Sequence, residues 1–561
     1  MPTTPDSRNV IVVGAGLSGI ATAIGAALRG CSVIVFESAD LVGGAAAYSG
    51  GQVWVGDNHV ARREGIEADS RELTERYVRD IAHAAPEALD PRAMDHWLTL
   101  APEAIHYWED IGAIRWTVIP GLADYHAEAD GALGAGRYLT NEVIDGRVLG
   151  DWRQRMRVSP YFPVGTTYAE MFVEGRRVRG DDSGDVGARN EETQGFGLTR
   201  APAEPTTGQA DENKPDPLTF GTGVFASFLA RALKEESIEI LTSHPVTELL
   251  RDEEGRVIGV RAQGEQGPVE RRGPVVLATS SYDWNPDLVR ELLGLGPDDF
   301  GSIAPQSLRG DGIALARAVG GAVAKIPATS VPMLPGWESA PGAGFAYGPE
   351  FAKPHAIIVD RTGRRFCNDS YWVDIVAKAL DPDDPHLPFF LIWDEQHHRK
   401  YGLGAVQPGG EYPEGTVTSA PTLRELGEAL GIDGEQLEKT AASFNEHAER
   451  GEDPDFDRGS LDYVLRFYGD AAHHPNPVLG AVSEPPFHGL RLRFLGTGIG
   501  SSGVHIDEFG HVLDEQGNAV PGLHAVGSVA ALTATGTGYN SGFALSRGLT
   551  LAYTVAQELG G

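Results

Sequence analysis

Two short apolar runs, VIVV at 10–13 and SVIVF at 32–36, bracket a glycine-rich turn and an alanine-rich stretch of helical character. The order predicts strand, turn, helix, strand over residues 10–37, which ends on Glu37. Apolar residues at three- and four-residue steps predict helices across 71–113, with Trp97, Tyr107 and Trp108 on their packed faces. GDGIALARAVGGAVAKI, starting at Gly310, reads as a helix, and HAIIVDRTGRRFCNDSYWVD (355–374) reads as a hairpin that leads into a loop. Residues 174–217 lack any period and are rich in Gly, Pro and charge, so they read as an exposed insertion loop. No run of about 18 apolar residues occurs, so no integral membrane segment is expected.

The first unit carries chemistry as well as structure. Its glycines 14, 16 and 19 form a GxGxxG turn between strand and helix. Gly14 allows the tight turn, Gly16 lets a pyrophosphate approach the backbone, and Gly19 lets helix and strand pack closely. The phosphates of a dinucleotide would then meet unpaired N–H groups at a helix start. Glu37, with Ser38 beside it, is placed to accept hydrogen bonds from an adenosine ribose and to repel a 2′-phosphate.

Charge and composition exclude other classes. Lys and Arg total 46 against 79 Asp and Glu, a net charge of −33, which disfavours nucleic acid and anionic lipid as partners. Cys31 and Cys367 are the only cysteines, which excludes a disulfide framework and fits packing residues in a reducing cytoplasm. The N-terminus has no signal pattern, so a soluble cytoplasmic protein is expected. The histidine pairs at 397–398 and 473–474 lack a ligand set with metal spacing, so no metal is expected, and no GxSxG nucleophile motif is present.

After the second strand comes DLVGGAAAYSGGQVWVG, with glycine pairs at 43–44 and 50–51. This stretch resembles the GG-x(4)-SGG-x-W loop of the flavoproteins that include fumarate reductase flavoprotein subunits and 3-ketosteroid dehydrogenases. TSHPVTELLRDEEGRVIGVRA (242–262) and GPVVLATSSYDWN (273–285) resemble that superfamily's hairpin and its strand ending near the flavin, with Ser280 and Ser281 in place of the usual glycines. HIDEFGHVLDEQGNAVPGLHAVGSV (505–529) resembles its late PGL-x-A-x-G segment. The resemblance implies FAD, held by Gly14, Gly16, Gly19, Glu37, Ser38, Gly43, Gly44, Ala45, Ser49, Gly50, Gly51, Val246, Ala278, Gly527, Ser528 and Leu545. It implies an α/β fold: a Rossmann-type, glutathione-reductase-like FAD-binding domain (1–286 and 482–561) with an inserted α+β substrate-capping domain (287–481). Residues 44–49 contain no histidine for a covalent tether, so the FAD is expected to be non-covalent.

The substrate is read from one late segment. Dicarboxylate enzymes of the superfamily place an arginine in a motif of the form HGANRLGG, because carboxylates need bidentate cations. Here GTGYNSGF puts Tyr539 at that place. A neutral ketone instead needs hydrogen-bond donors for its developing enolate, and the ketosteroid dehydrogenases place a tyrosine and a glycine N–H there. The resemblance therefore assigns Tyr539 and Gly542 to the carbonyl, Ser541 to proton relay, and Tyr125 (in PGLADYHAEADG) and Tyr371 (in RRFCNDSYWVD) to the catalytic phenols. The roles of base and carbonyl donor stay open between Tyr371 and Tyr539. The expected reaction is α,β-desaturation of a hydrophobic ring ketone, a 3-ketosteroid or a smaller cyclohexanone-type compound, with electrons passing on to a quinone, a carrier protein or oxygen. The alternative is a fumarate- or urocanate-reductase-like enzyme, which would need Arg137, Arg309 or Arg547 to face the substrate. A flavin carrier without turnover is a third, weaker reading.

Overall fold

In the computed structural model, residues 9–560 are described except 67, 163, 173–214, 329–332, 341–343 and 405. The insertion expected at 174–217 falls outside the described residues but for its last three. There Asp216 pairs with the buried Arg153, and Pro217 begins a short strand.

A six-stranded sheet organises the nucleotide-binding part. Strands Ala519–Ala525, Val275–Leu277, Asn9–Val13, Ser32–Phe36 and Ile238–Leu241 run parallel in that spatial order, and His511–Leu513 pairs antiparallel at the edge. Val10–Val13 are buried, as an apolar run between covering helices requires. Helix Leu17–Ala27 follows the first strand directly and lies along the C-terminal helix Phe543–Leu559. The predicted helices form at Arg71–Ile81 and Pro91–Asp110. The second is fixed to the C-terminal helix by the indole of Trp97, which donates to Ser546 Oγ (3.0 Å), and that of Trp108, which donates to the Leu549 carbonyl (3.3 Å). The expected late hairpin forms as Val246–Arg251 with Val257–Gly264, and gains a third strand, Gly267–Arg272. Both cysteines are buried and neither forms a disulfide, in keeping with packing roles.

A second, mostly antiparallel sheet is built on the long strand Phe487–Gly496. Phe389–Trp393 pairs on one side of it in the register Leu391↔Leu490, and Ala356–Asp360 pairs with Phe389–Trp393 in turn. Phe300–Ser302, Leu334–Glu338 and Thr418–Ala420 also join Phe487–Gly496. Residues 487–496, assigned from sequence to the nucleotide-binding part, are therefore the spine of this second sheet. The hairpin expected at 355–374 does not form either. Only Ala356–Asp360 is a strand; residues 361–370 are irregular and lead into helix Trp372–Ala379. The helix expected from Gly310 covers Asp311–Ala318 only, and Val323–Ala324 becomes a strand. No helix of the described residues is long and apolar enough to cross a membrane.

Candidate active site

The two sheets meet over a cavity of about 290 Å³, reached by segments from most of the chain. Gly14 and Gly16 line it at the carboxyl end of the first strand. Gly14 has φ +111°, and a Cβ there would sit 2.4 Å from the Ala278 carbonyl oxygen, so the turn needs glycine. Gly19 is off the wall: a Cβ on it would lie 2.0 Å from the Gly14 carbonyl oxygen, which matches the packing role expected of it. Helix Leu17–Ala27 starts at Gly16 with no side-chain cap, leaving its first N–H groups for an anion.

Glu37 and Ser38 line the same end. The Glu37 carboxylate accepts from Ala15 N and Ala39 N, both at 2.9 Å, which fixes it at the strand end. Burial raises its pKa above the ordinary carboxylate value, against the lowering effect of those two N–H groups. Gly44, Ala45, Ser49, Gly50 and Gly51 lie along the wall, while Gly43 does not. With φ +120° it turns the chain into the short helix Gly44–Tyr48. Val246, Ala278, Gly527, Ser528 and Leu545 also line the cavity.

These features fit FAD. They provide an uncapped helix start behind a turn only glycine can make, a buried carboxylate at the end of the second strand that a ribose could bond, and a second uncapped helix start at Gly542 (φ +84°).

The far end of the cavity is a cluster of phenols. Tyr125, Tyr463, Tyr468 and Tyr539 line it with Ser541 and Gln52. The Tyr125 and Tyr463 rings are 4.9 Å apart, and the Tyr463 and Tyr468 hydroxyls lie 3.4 Å apart. The Ser541 hydroxyl donates to Gln52 Oε1. Burial raises the pKa of Tyr125 and Tyr539 above the ordinary phenol value, and the Ser541 hydroxyl only partly offsets this for both. Burial pushes Tyr463 and Tyr468 up too. At neutral pH the cluster is therefore made of neutral hydrogen-bond donors.

Asn540 holds the segment in place. Its Oδ1 accepts from the Tyr77 hydroxyl (2.8 Å), the Tyr138 hydroxyl (3.0 Å) and Tyr125 N (3.0 Å), and Asn540 is fully buried. The Tyr539 carbonyl in turn lies 3.1 Å from His126 Nε2. Residues 125–126 and 539–540 are thus tied together across more than 400 positions of sequence.

Tyr371 departs from expectation. It is buried but off the cavity wall, and its hydroxyl donates to the Tyr125 carbonyl (3.1 Å). The reason is its place as the N-cap of helix Trp372–Ala379, which turns the next residue, Trp372, onto the wall instead. Gln52, Tyr463 and Tyr468 were not anticipated. LDYVLRFYGD carries no motif or period that marks its tyrosines, and only the tertiary fold brings them to Tyr125.

None of the arginines required by the dicarboxylate alternative lines the cavity. Arg137 is 1% exposed and held between Asp69 and Asp124 at 2.7 Å each. Arg309 is exposed and donates to the Gln306 carbonyl. Arg547 is buried and donates to the carbonyls of Ala531 (2.6 Å), Ala530 (2.9 Å) and Gly527 (3.3 Å). Burial lowers its pKa to about 10. No Lys or Arg occurs among the described residues that line the cavity.

Several known proteins are similar over the whole length. The 4-oxocyclohex-2-ene-1-carboxylate 5-dehydrogenase of Sinomonas cyclohexanicum is 29% identical over 98% of this chain and 93% of its own. The 3-oxosteroid 1-dehydrogenase of Mycolicibacterium smegmatis is 26% identical over 99% of this chain and 98% of its own. In fold, the chain matches the crystal structure of 3-ketosteroid delta1-dehydrogenase from Sterolibacterium denitrificans with a TM-score of 0.80, at 22% identity and with 99% of each chain covered. The α/β architecture is therefore that of an FAD-binding fold shared with ketosteroid dehydrogenases. The FAD binding domain family matches residues 9–545, and the chain belongs to it as an FAD-dependent oxidoreductase.

Proposed function

We propose that the protein desaturates an uncharged ring ketone α,β to its carbonyl. The observation that carries this reading is the lining of the cavity: Tyr125, Tyr463, Tyr468 and Tyr539 gather with Ser541 in one part of it, and no Lys or Arg occurs among the described lining residues. A dicarboxylate in such a site would bury charge without a partner, a heavy penalty. A ketone needs only donors that strengthen as its oxygen gains charge. The whole-length similarity to proteins named as dehydrogenases of oxosteroids and oxocyclohexene carboxylates supports the same reaction class.

Tyr539 is the carbonyl donor, because burial keeps its phenol protonated, and the uncapped helix start at Gly542 adds N–H groups on the same side. Tyr125 takes the α-proton only through its minor phenolate form, which Ser541 and Tyr463 stabilise in part against burial. Tyr371, hydrogen-bonded to the Tyr125 backbone, positions that residue rather than touching substrate. Bound FAD supplies the acceptor for the β-hydride. Ser49 and Ser528 belong to its binding wall, and the absence of histidine from 44–49 supports a dissociable cofactor. In domain terms we read a Rossmann-type FAD-binding domain with an inserted cap, whose end moves from 481 to beyond Gly496. Tyr539→Phe should slow flavin reduction by a saturated ring ketone about 10²-fold while leaving flavin content intact. A change under about threefold would return Tyr539 to a packing role and remove the proposed donor.

A further inference from the structure

A second cluster lies outside the cavity, on the outer edge of the six-stranded sheet, and the oxidoreductase chemistry does not use it. The edge strand His511–Leu513 pairs antiparallel with Ala519–Ala525 in the register His511↔His524. Directly opposed residues project from the same face of a sheet, and these two rings stand with centroids 5.0 Å apart. Glu558, near the end of helix Phe543–Leu559, reaches both: its Oε1 is 2.7 Å from His511 Nε2 and its Oε2 is 3.6 Å from His524 Nε2. One ligand atom from each of the three side chains lies within 4.8 Å of the others.

Two details set this cluster apart from an ordinary surface ion pair. First, Asp507 Oδ2 lies 2.8 Å from His511 Nδ1, the carboxylate behind an imidazole that fixes the ring and presents Nε2 to a metal. Second, His524 is 5% exposed, and neither of its ring nitrogens has a hydrogen-bond partner. Buried polar nitrogens are nearly always paired, so this ring lacks the neighbour its position calls for. A similar trio, Glu395, His398 and His488, has no such deficit. There His398 bonds Glu395 (3.2 Å) and the Gly410 carbonyl (2.9 Å), and His488 bonds Ser419 (2.8 Å) and Glu395 (3.3 Å). Hydrogen bonds alone account for that trio.

We propose that His511, His524 and Glu558 bind a divalent transition-metal ion of the Zn²⁺ class. Two imidazoles and a carboxylate suit such an ion, with water completing a tetrahedral shell at the exposed side of Glu558. The ion would take the lone pair of His524 Nε2 and pin the edge strand to the C-terminal helix. Its role is structural, and it is independent of the substrate reading.

The test uses flavin-loaded protein freed of metal by a chelator, titrated with Zn²⁺ by calorimetry and with Co²⁺ by visible absorption. One strong Zn²⁺ site per chain and a tetrahedral Co²⁺ spectrum are expected. Glu558→Gln and His524→Phe should each weaken Zn²⁺ binding at least about tenfold, and Asp507→Asn by about tenfold, because it loosens the carboxylate's hold on the His511 ring. His398→Ala should leave it unchanged. Glu558 is half-exposed, so its variant tests the site even if a change at His524 disturbs folding. Absence of a strong site, or Zn²⁺ affinity unchanged in Glu558→Gln, would overturn the proposal.

Discussion

Asn540→Ala is the most informative perturbation of the site, because one side-chain oxygen serves three buried donors. The substitution leaves the hydroxyls of Tyr77 and Tyr138 and the N–H of Tyr125 without their acceptor in a region from which water is excluded. Each orphaned donor costs about 1 kcal/mol or more, so the variant should lose about 3–4 kcal/mol of stability. That is a large share of a typical folding free energy of about 5–15 kcal/mol. Urea unfolding of the flavin-loaded protein measures the loss. If the penalty comes from orphaned donors, removing them should relieve it. In a Tyr77→Phe, Tyr138→Phe background the same substitution should therefore cost about 2 kcal/mol less. A loss under about 1 kcal/mol, or an equal loss in both backgrounds, would refute the account of Asn540 as the acceptor that sets the phenol cluster.

Other outcomes follow from the same geometry. Gly14→Ala, which forces a Cβ to 2.4 Å from the Ala278 carbonyl oxygen at φ +111°, should yield protein with little flavin, read from the visible band relative to protein absorbance. The folded-state pKa of Tyr125 is raised, so the rate of flavin reduction by a ketone should climb with pH from neutral to about 10 with no plateau; a plateau near pH 7 would point to a different base. The same raised phenols add stability that is fully present below about pH 10, where unfolded tyrosine titrates. It is lost as pH rises further towards their folded values, and alkaline unfolding curves should show the loss.

How far the sequence reached depends on how local each feature is. The turn at Gly14 to Gly19 and the carboxylate of Glu37 were legible because strand, turn and helix follow one another within 28 residues and each glycine has a local steric cause. Tyr539, Ser541 and Gly542 were singled out by resemblance rather than by local sterics, and they line the cavity together where the last helix begins. The place of Tyr371 was not legible, because a shift of one residue at a helix N-cap exchanges which aromatic faces the cavity, and the cap is set by packing. Tyr463 and Tyr468 come from a six-residue helix and the residue after it, whose sequence gives no sign of what it packs against. The strand Phe487–Gly496 was misplaced because its apolar pattern fits either sheet, and only its long-range partners decide.

The cavity is proposed to take a ring ketone, not a dicarboxylate, and to oxidise it. Anaerobic mixing of the flavin-loaded protein with saturated cyclic ketones, with succinate in parallel, tests it most directly. Loss of the oxidised flavin band with a ketone and none with succinate is the predicted result, and bleaching by succinate alone would contradict it.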